Sequence, residues 1–159
     1  MKLTVIGLPI PQGSKNARIF GSRLPNGAVV NPRIALTDGS AKKHASLKSW
    51  RDAIAAEARK WCLGHMGTVG PLDGPVELRA TFYLPRPKSM PKRVQFPVTR
   101  PDLDKLTRAI GDALSKIAYT EDSRIVEMHV AKRFAIDSPP RVEIEIGLFK
   151  EGGCENDKP

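Results

Sequence analysis

Cysteine and long apolar runs are both scarce in this sequence. The 159 residues include two cysteines, Cys62 and Cys154, which lie far apart and form no CxxC motif. Two such cysteines supply neither a disulfide framework nor a zinc site, so we expect a reducing, cytoplasmic environment. No run of about 18 apolar residues is present, and we therefore expect no membrane span. The apolar start of the chain is too short and alternates too regularly for a signal peptide.

Sequence motifs for several other chemistries are absent as well. The three histidines show no HxH or HExxH spacing, so we expect them to be solvated or core residues. The segment 11–15, PQGSK, lacks the two-glycine spacing of a phosphate-binding loop, which argues against a nucleotide cofactor. Tyr83 is the one clear aromatic residue at an outward strand position, whereas a module for single-stranded RNA would need several exposed rings. That class of protein stays a weaker alternative.

Acidic residues are few in the first two-thirds of the chain. The net charge is +8 over residues 1–60 and +4 over residues 61–100, but −3 over residues 101–159, within an overall charge of +9. A broad positive surface attracts polyanions without regard to sequence, so the basic part of the chain predicts a nucleic-acid partner. A basic surface whose only role is solubility is the alternative.

Hydrophobic periodicity predicts six elements in the order β-α-β-α-β-β. The predicted strands are 2–8, 75–84, 124–133 and 141–149, and the predicted helices are 46–62 and 102–117. Strands with one apolar face favour a mixed, mostly antiparallel sheet that carries the two helices on one side. We therefore predict an α+β fold, with one domain over residues 1–150 and a disordered tail over residues 151–159.

Two long connections, residues 9–45 and residues 85–100, carry much of the positive charge. Structureless loops of this length are uncommon in compact domains and often form binding sites. We predict that these loops contact the phosphate backbone of DNA; idle solvated loops are the alternative. The candidate DNA-binding residues are Lys15, Arg18, Lys88, Lys92, Arg93, Arg100 and Lys105.

The segment 99–114, TRPDLDKLTRAIGDAL, places two carboxylates where an extended stretch becomes an amphipathic helix. Pro101 favours extended geometry before it, and the apolar stripe of the helix begins at Leu103. Asp102 and Asp104 can therefore share a side, although residues two apart on a finished helix diverge by about 200°. Helix capping would account for one of the two acids. A hard divalent cation such as Mg²⁺ between them would account for both.

A third acid would complete such a metal site. Asp122, in YTEDSRIV, directly precedes the predicted strand 124–133, from where it could return toward the start of the helix. Glu121 is the competing candidate. Within the helix, Asp104 and Arg108 are four residues apart and therefore share one face.

Residues 99–133 resemble the core of the RusA family of Holliday junction resolvases, which are known from bacteria and their phages. The shared pattern is an RxDxDxL stretch, a helix ending in DAL, then an aromatic residue and an acidic pair before a strand that ends in Lys or Arg. The strand 2–8, with the polar PQGSKN after it, and the helix 46–62 agree more loosely.

The resemblance implies a small homodimeric, Mg²⁺-dependent endonuclease that cuts four-way DNA junctions symmetrically in recombination and repair. It places the protein in the cytoplasm of a bacterial host, encoded by that host or by a prophage. It also implies that Asp102, Asp104 and Asp122 bind the metal.

Two positions depart from the family pattern. Lys105 stands where family members often have Asn, and Arg108 stands where they have a functionally important lysine. Arg108 retains the positive charge but cannot act as a proton donor. A non-catalytic basic DNA-binding or architectural protein would need the basic loops but not the three aspartates, and it is the main alternative.

Overall fold

The chain forms its strands and helices in the order that the periodicity predicts, with one hairpin added. The computed structural model describes residues 1–13, 16–37, 41–65 and 71–150. Its elements are β1 (Lys2–Ile6), β2 (Asn16–Arg23), β3 (Val29–Thr37), α1 (Ala41–Gly64), β4 (Val76–Pro85), α2 (Leu103–Leu114), a short 3-10 helix (Asp122–Arg124), β5 (Ile125–Ala135) and β6 (Arg141–Leu148). Lys15 and the tail 151–159, for which the sequence makes predictions, lie outside the described residues.

Four strands form the main sheet, in the order β1-β6-β4-β5. Strands β1 and β4 both pair with β6 in antiparallel orientation, and β4 pairs with β5 in parallel. With the two helices, this gives an α+β architecture whose sheet is mixed and mostly antiparallel, which confirms the predicted fold class. No helix in the described ranges is long and apolar enough to cross a membrane.

Alternation along the strands decides which face of the sheet is covered. Every second residue of β4, from Val76 to Leu84, is buried, and the residues between them are half-buried or exposed. On α2, Leu106, Ile110 and Leu114 recur every four residues and are fully buried. The α1 residues of the same apolar cluster are Trp50, Ile54 and Ala58. Both helices therefore cover one face of the sheet, and the other face is open.

A separate two-stranded sheet lies within residues 9–45, where the sequence predicts a long irregular connection. Strands β2 and β3 pair in antiparallel orientation with one bulge. At their turn the amide of Ala28 donates to Asn26 Oδ1 at 3.1 Å, and Gly27 adopts a φ of 82°, which glycine does without a Cβ penalty. The structure corrects the expected loop to a hairpin, because polar residues interrupt the alternation in both strands.

Helix α2 ends at Leu114, earlier than the predicted residue 117. Lys116 adopts a φ of 64°, in the left-handed region that ends a helix. Its amide donates to the carbonyl of Tyr119 at 2.8 Å, and the side chain of Tyr119 is fully buried. This buried turn fixes where the chain enters the 3-10 helix that begins at Asp122.

Candidate active site

Asp102 is the last extended residue before α2. Its φ and ψ are −71° and 139°, and its carbonyl accepts the first helical hydrogen bond, from the amide of Leu106 at 3.2 Å. The carboxylate of Asp102 makes no capping hydrogen bond, however. Capping therefore does not account for this side chain, although Asp102 occupies the capping position.

The carboxylate of Asp102 has a cationic neighbour within its own segment. Lys105 Nζ lies 2.9 Å from Asp102 Oδ2. This contact with Lys105 holds the pKa of Asp102 below its ordinary value, and the positive charges of Arg100 and Lys132 act in the same direction. Asp102 therefore stays ionised, and Lys105, a candidate DNA-binding residue, is at the same time its ion-pair partner.

Lys132 connects β5 to the segment that leads into α2. Its Nζ donates to the carbonyl of Pro101 at 2.9 Å and to the carbonyl of Thr99 at 3.1 Å. The Arg100–Pro101 peptide bond between these two carbonyls is cis. The carbonyl directly before Asp102, that of Pro101, therefore accepts a hydrogen bond from a residue of β5.

Asp104 and Arg108 extend along one exposed face of α2. Both side chains are exposed, and within the described residues neither of them has an ion-pair partner. Asp112, one turn farther on, is paired with Arg51 at 3.3 Å. Arg108 lies at a shallow recess of about 290 Å³ that Asp112 and Asp122 also line. Arg108 is therefore free to meet a negatively charged ligand.

Asp122, at the start of the 3-10 helix, also lines that recess. The hydroxyl of Tyr119 donates to the carbonyl of Gly111 at 3.0 Å. Burial raises the pKa of Tyr119, and the negative charges of Asp122 and Asp112 act in the same direction. Asp122 is thus next to the middle of α2 and faces solvent, as does Glu121, the competing candidate.

Within the described residues, the three predicted aspartates do not form one cluster of potential metal ligands. Asp122 and Arg108 share the recess, and Asp102 and Asp104 lie at the N-terminal end of the same helix. The donor chemistry fits Mg²⁺, because this ion binds through one or two carboxylates and keeps several waters. Asp102 and Asp104 supply two such carboxylates, neither of which is committed to a helix cap.

A different group of potential ligands comes together on the open face of the sheet. Ligand atoms of Glu77, Glu127 and His129 lie within 4.8 Å of one another. Among the described residues, this is the one group of three potential metal ligands at such distances. Glu77 also pairs with Arg79, and His129 contacts Glu127 directly. These carboxylates therefore already have partners and form a surface charge cluster. The sequence does not reveal it, because only the strand register Glu77↔Glu127 brings the two acids side by side.

The candidate DNA-binding residues occupy different parts of the surface. Lys88, Lys92, Arg93 and Arg100 are exposed in the connection between β4 and α2. This connection is organised by turns, in which Arg86 Nη2 donates to the carbonyl of Pro91 at 2.6 Å. Arg18 belongs to β2. The connection 85–100 therefore presents several basic side chains on a segment that is ordered by turns and lies next to Asp102 in the chain.

Comparison with known proteins agrees with the resemblance found in the sequence. The family described as endodeoxyribonuclease RusA matches residues 25–147. The chain is also 28% identical over 156 residues to the uncharacterized protein YqaN of Bacillus subtilis (strain 168), a match that covers 92% of this chain and 94% of that protein. The family match includes α2, the 3-10 helix and β5, and hence all the carboxylates described above.

Proposed function

Because the chain belongs to the RusA family of endodeoxyribonucleases, we propose that it resolves four-way DNA junctions by Mg²⁺-dependent hydrolysis of phosphodiesters. The family match supports the nuclease chemistry. The observation that carries the proposal is the conformation of Asp102, which is extended, caps no helix amide and stands two residues before Asp104. The corresponding biological role is DNA recombination and repair in the cytoplasm of a bacterial host.

Asp102, Asp104 and Asp122 are the residues that would hold the ion. When bound, Mg²⁺ supplies Lewis acidity and a water of lowered pKa for attack on phosphorus. The nearby Lys105 keeps Asp102 ionised and thus able to bind a cation. The carboxylates also keep DNA phosphates away from this point unless a cation neutralises them, which couples DNA placement to metal binding.

Arg108 is the residue that would stabilise negative charge on the phosphoryl oxygens. Its side chain is exposed one turn after Asp104 and lines the recess shared with Asp122. Fixed positive charge at the position where charge develops is a major source of rate enhancement. Because the guanidinium does not lose its proton, Arg108 cannot protonate the leaving oxygen.

The basic residues supply affinity that does not depend on sequence. The candidates are Lys15, Arg18, Lys88, Lys92, Arg93, Arg100 and Lys105. Those of the connection 85–100 are exposed and precede Asp102 in the chain. Phosphate contacts of this kind position DNA without reading its bases.

We further propose that the active form is a homodimer. Symmetric resolution of a junction requires two cuts at positions related by a two-fold axis. Two identical sites in a C₂ dimer meet this requirement, and C₂ dimers are the commonest oligomers. Light scattering at assay concentration should give twice the 17.4 kDa mass of the chain, and a monomer that makes paired symmetric cuts would contradict the dimer.

The test is an assay with an end-labelled four-way junction, in Mg²⁺ and in EDTA. We expect paired nicks at symmetric positions in Mg²⁺, no nicks in EDTA, and junction binding in both. A linear duplex made from the same arm sequences is the matched control and should be cut poorly. Binding without cleavage in Mg²⁺ would identify a non-catalytic DNA-binding protein, and cleavage that resists EDTA would refute the metal requirement.

A further inference from the structure

Lys132 lies on the face of β5 that the helices cover. In the parallel pairing with β4 it is opposite Phe82, which is fully buried, whereas its neighbour Arg133 is opposite Tyr83 on the open face. The side chain of Lys132 is half-buried. A cation in such a position is usually paired with an acid, because removing it from water without a partner is costly.

Lys132 is instead bound to backbone carbonyls. No carboxylate within the described residues forms an ion pair with it. Its Nζ donates hydrogen bonds to two carbonyl oxygens, those of Pro101 at 2.9 Å and Thr99 at 3.1 Å. The residues so joined are more than thirty positions apart in the chain, so the contact fixes the loop to the sheet.

The two carbonyls are placed immediately before the proposed metal ligands. The carbonyl of Pro101 belongs to the peptide plane that leads into Asp102, so holding this oxygen restricts the φ of Asp102. That residue is extended, at −71° and 139°, and the helix starts at the next one. The conformation of Asp102 therefore sets how its carboxylate is directed relative to the helix that carries Asp104.

We propose that Lys132 is a positioning residue of the metal site, which holds Asp102 in its extended conformation at the start of α2 through the carbonyls of Thr99 and Pro101. This inference rests on the proposed metal-dependent function. Lys132 touches neither the metal nor the scissile phosphate in this role. Outer residues that orient metal ligands commonly change metal affinity by about 10- to 100-fold when they are replaced.

The role of a tether and the role of a bare charge predict effects of opposite sign. A positive charge near Asp102 repels a divalent cation, so if Lys132 acted only through its charge, its removal would strengthen metal binding. If Lys132 acts as a tether, its removal frees the loop and weakens metal binding. The sign of the change therefore separates the two roles.

The experiment measures Mn²⁺ binding by the folded full-length chain, without DNA and without cleavage. The titration follows free Mn²⁺ by electron paramagnetic resonance, and broadening of the amide signals of residues 102–104 locates the ion. For Lys132→Met we expect roughly tenfold weaker binding, and for Lys132→Arg, which keeps both charge and donors, binding within about threefold of wild type. Lys116→Met, which removes the same charge from an exposed position beyond the far end of α2, should leave the affinity unchanged.

Unchanged or tighter Mn²⁺ binding by Lys132→Met would overturn the positioning role. If that variant does not fold, Lys132→Gln replaces it, because it is neutral and keeps an amide donor on a shorter side chain. It should bind Mn²⁺ more weakly than wild type, and unchanged or tighter binding would again refute the tether. Absence of broadening at residues 102–104 in the wild-type chain would instead refute the proposed metal site itself. The two failures are therefore distinguishable.

Discussion

The ammonium group of Lys105 lies 2.9 Å from the carboxylate of Asp102, across the first turn of α2. Lys105 forms an ion pair with the carboxylate that the metal would need, and it also keeps the pKa of Asp102 below its ordinary value. The same position often holds an asparagine in the family that the sequence resembles. In the proposed metal site, Lys105 would therefore compete with the ion for Asp102 and, once the ion is bound, would be available to a DNA phosphate.

Replacing Lys105 with Asn should strengthen divalent metal binding. The change removes both the ion pair with Asp102 and a positive charge that repels the ion, so we expect a gain of roughly two- to fivefold in Mn²⁺ affinity, the scale of an exposed pair. Lys116→Asn is the matched control, because it removes the same charge beyond the far end of α2 at a φ that Asn also tolerates. Weaker metal binding by Lys105→Asn would show that the pair supports the site.

Asp102→Asn and Asp104→Asn should each abolish junction cleavage while junction binding persists. An amide cannot replace an ionised carboxylate as a ligand of a hard cation, and loss of a negative charge removes a repulsion toward DNA. Gel-shift binding in EDTA and single-turnover cleavage in Mg²⁺ give the two readouts. Asp137→Asn, in the exposed turn between β5 and β6, should cleave normally, and full activity in either site variant would remove the metal-site hypothesis.

Salt dependence should report the phosphate contacts of the connection 85–100. Each contact contributes about −0.9 to the slope of log K against log salt, so replacing Lys88, Lys92 and Arg93 together with Ala should reduce the slope by up to about 2.7. The control is the triple variant of Lys2, Lys48 and Lys60, which removes three charges that already have acidic partners. An equal slope in the test variant and in wild type would mean that those residues only face solvent.

The sequence predicts the main architecture because the relevant signals are local. Alternation marks β4 and β6, and the stripe of Leu106, Ile110 and Leu114 marks α2, which is buried along that stripe. The hairpin β2–β3 escapes prediction because its strands lack a clean apolar face. The asparagine and glycine of its turn are a recognisable signal, but residues 9–45 as a whole look like a loop.

The candidate site is predictable only in its residue types. The spacing of Asp102 and Asp104 predicts that they can share a side, and this stays a prediction; the structure adds that Asp102 is extended directly before α2. The tether from Lys132 depends on the parallel register of β4 and β5, which pairs residues some fifty positions apart. Such long-range register cannot be read from a local pattern.

Tyr119→Phe should lower stability near neutral pH by about 1 kcal/mol, through loss of the hydrogen bond to the carbonyl of Gly111. The loss is limited because that carbonyl also accepts from the amide of Ser115 at 3.0 Å. Burial raises the pKa of Tyr119 above its ordinary value of 10.0. The folded chain therefore keeps the hydroxyl proton at a pH where the unfolded chain releases it.

The contribution of Tyr119 to stability should accordingly be complete below pH 10.0 and decline as the pH rises further. Urea unfolding of wild type and Tyr119→Phe at neutral and alkaline pH measures it, and the difference in unfolding free energy should shrink above that value. Tyr83→Phe, whose ring packs under Arg141 on the open face, controls for the change of residue type. A difference that stays constant with pH would contradict the expected linkage.

Arg108 should act by stabilising charge and not by transferring a proton. Within the described residues it has no ion-pair partner, since Asp112 pairs with Arg51, so an ion pair on the helix surface does not account for it. We expect Arg108→Ala to lose roughly 10²–10³ in single-turnover cleavage rate, the scale of one electrostatic donor at a reacting group. Junction affinity should change far less.

The conservative variant separates the two possible roles of a cation at this position. Arg108→Lys keeps a positive charge but loses the bidentate fork, so it should retain substantial activity across the assay pH range. Lys116→Ala, which removes an exposed cation beyond the end of α2, is the control. Its cleavage rate should stay within about twofold of wild type, a far smaller change than the loss of a catalytic donor causes. A cleavage rate of Arg108→Ala within about threefold of wild type would be too small a loss for an electrostatic donor. Arg108 would then be a solvated surface residue, and another cation near Asp104 would have to stabilise the charge.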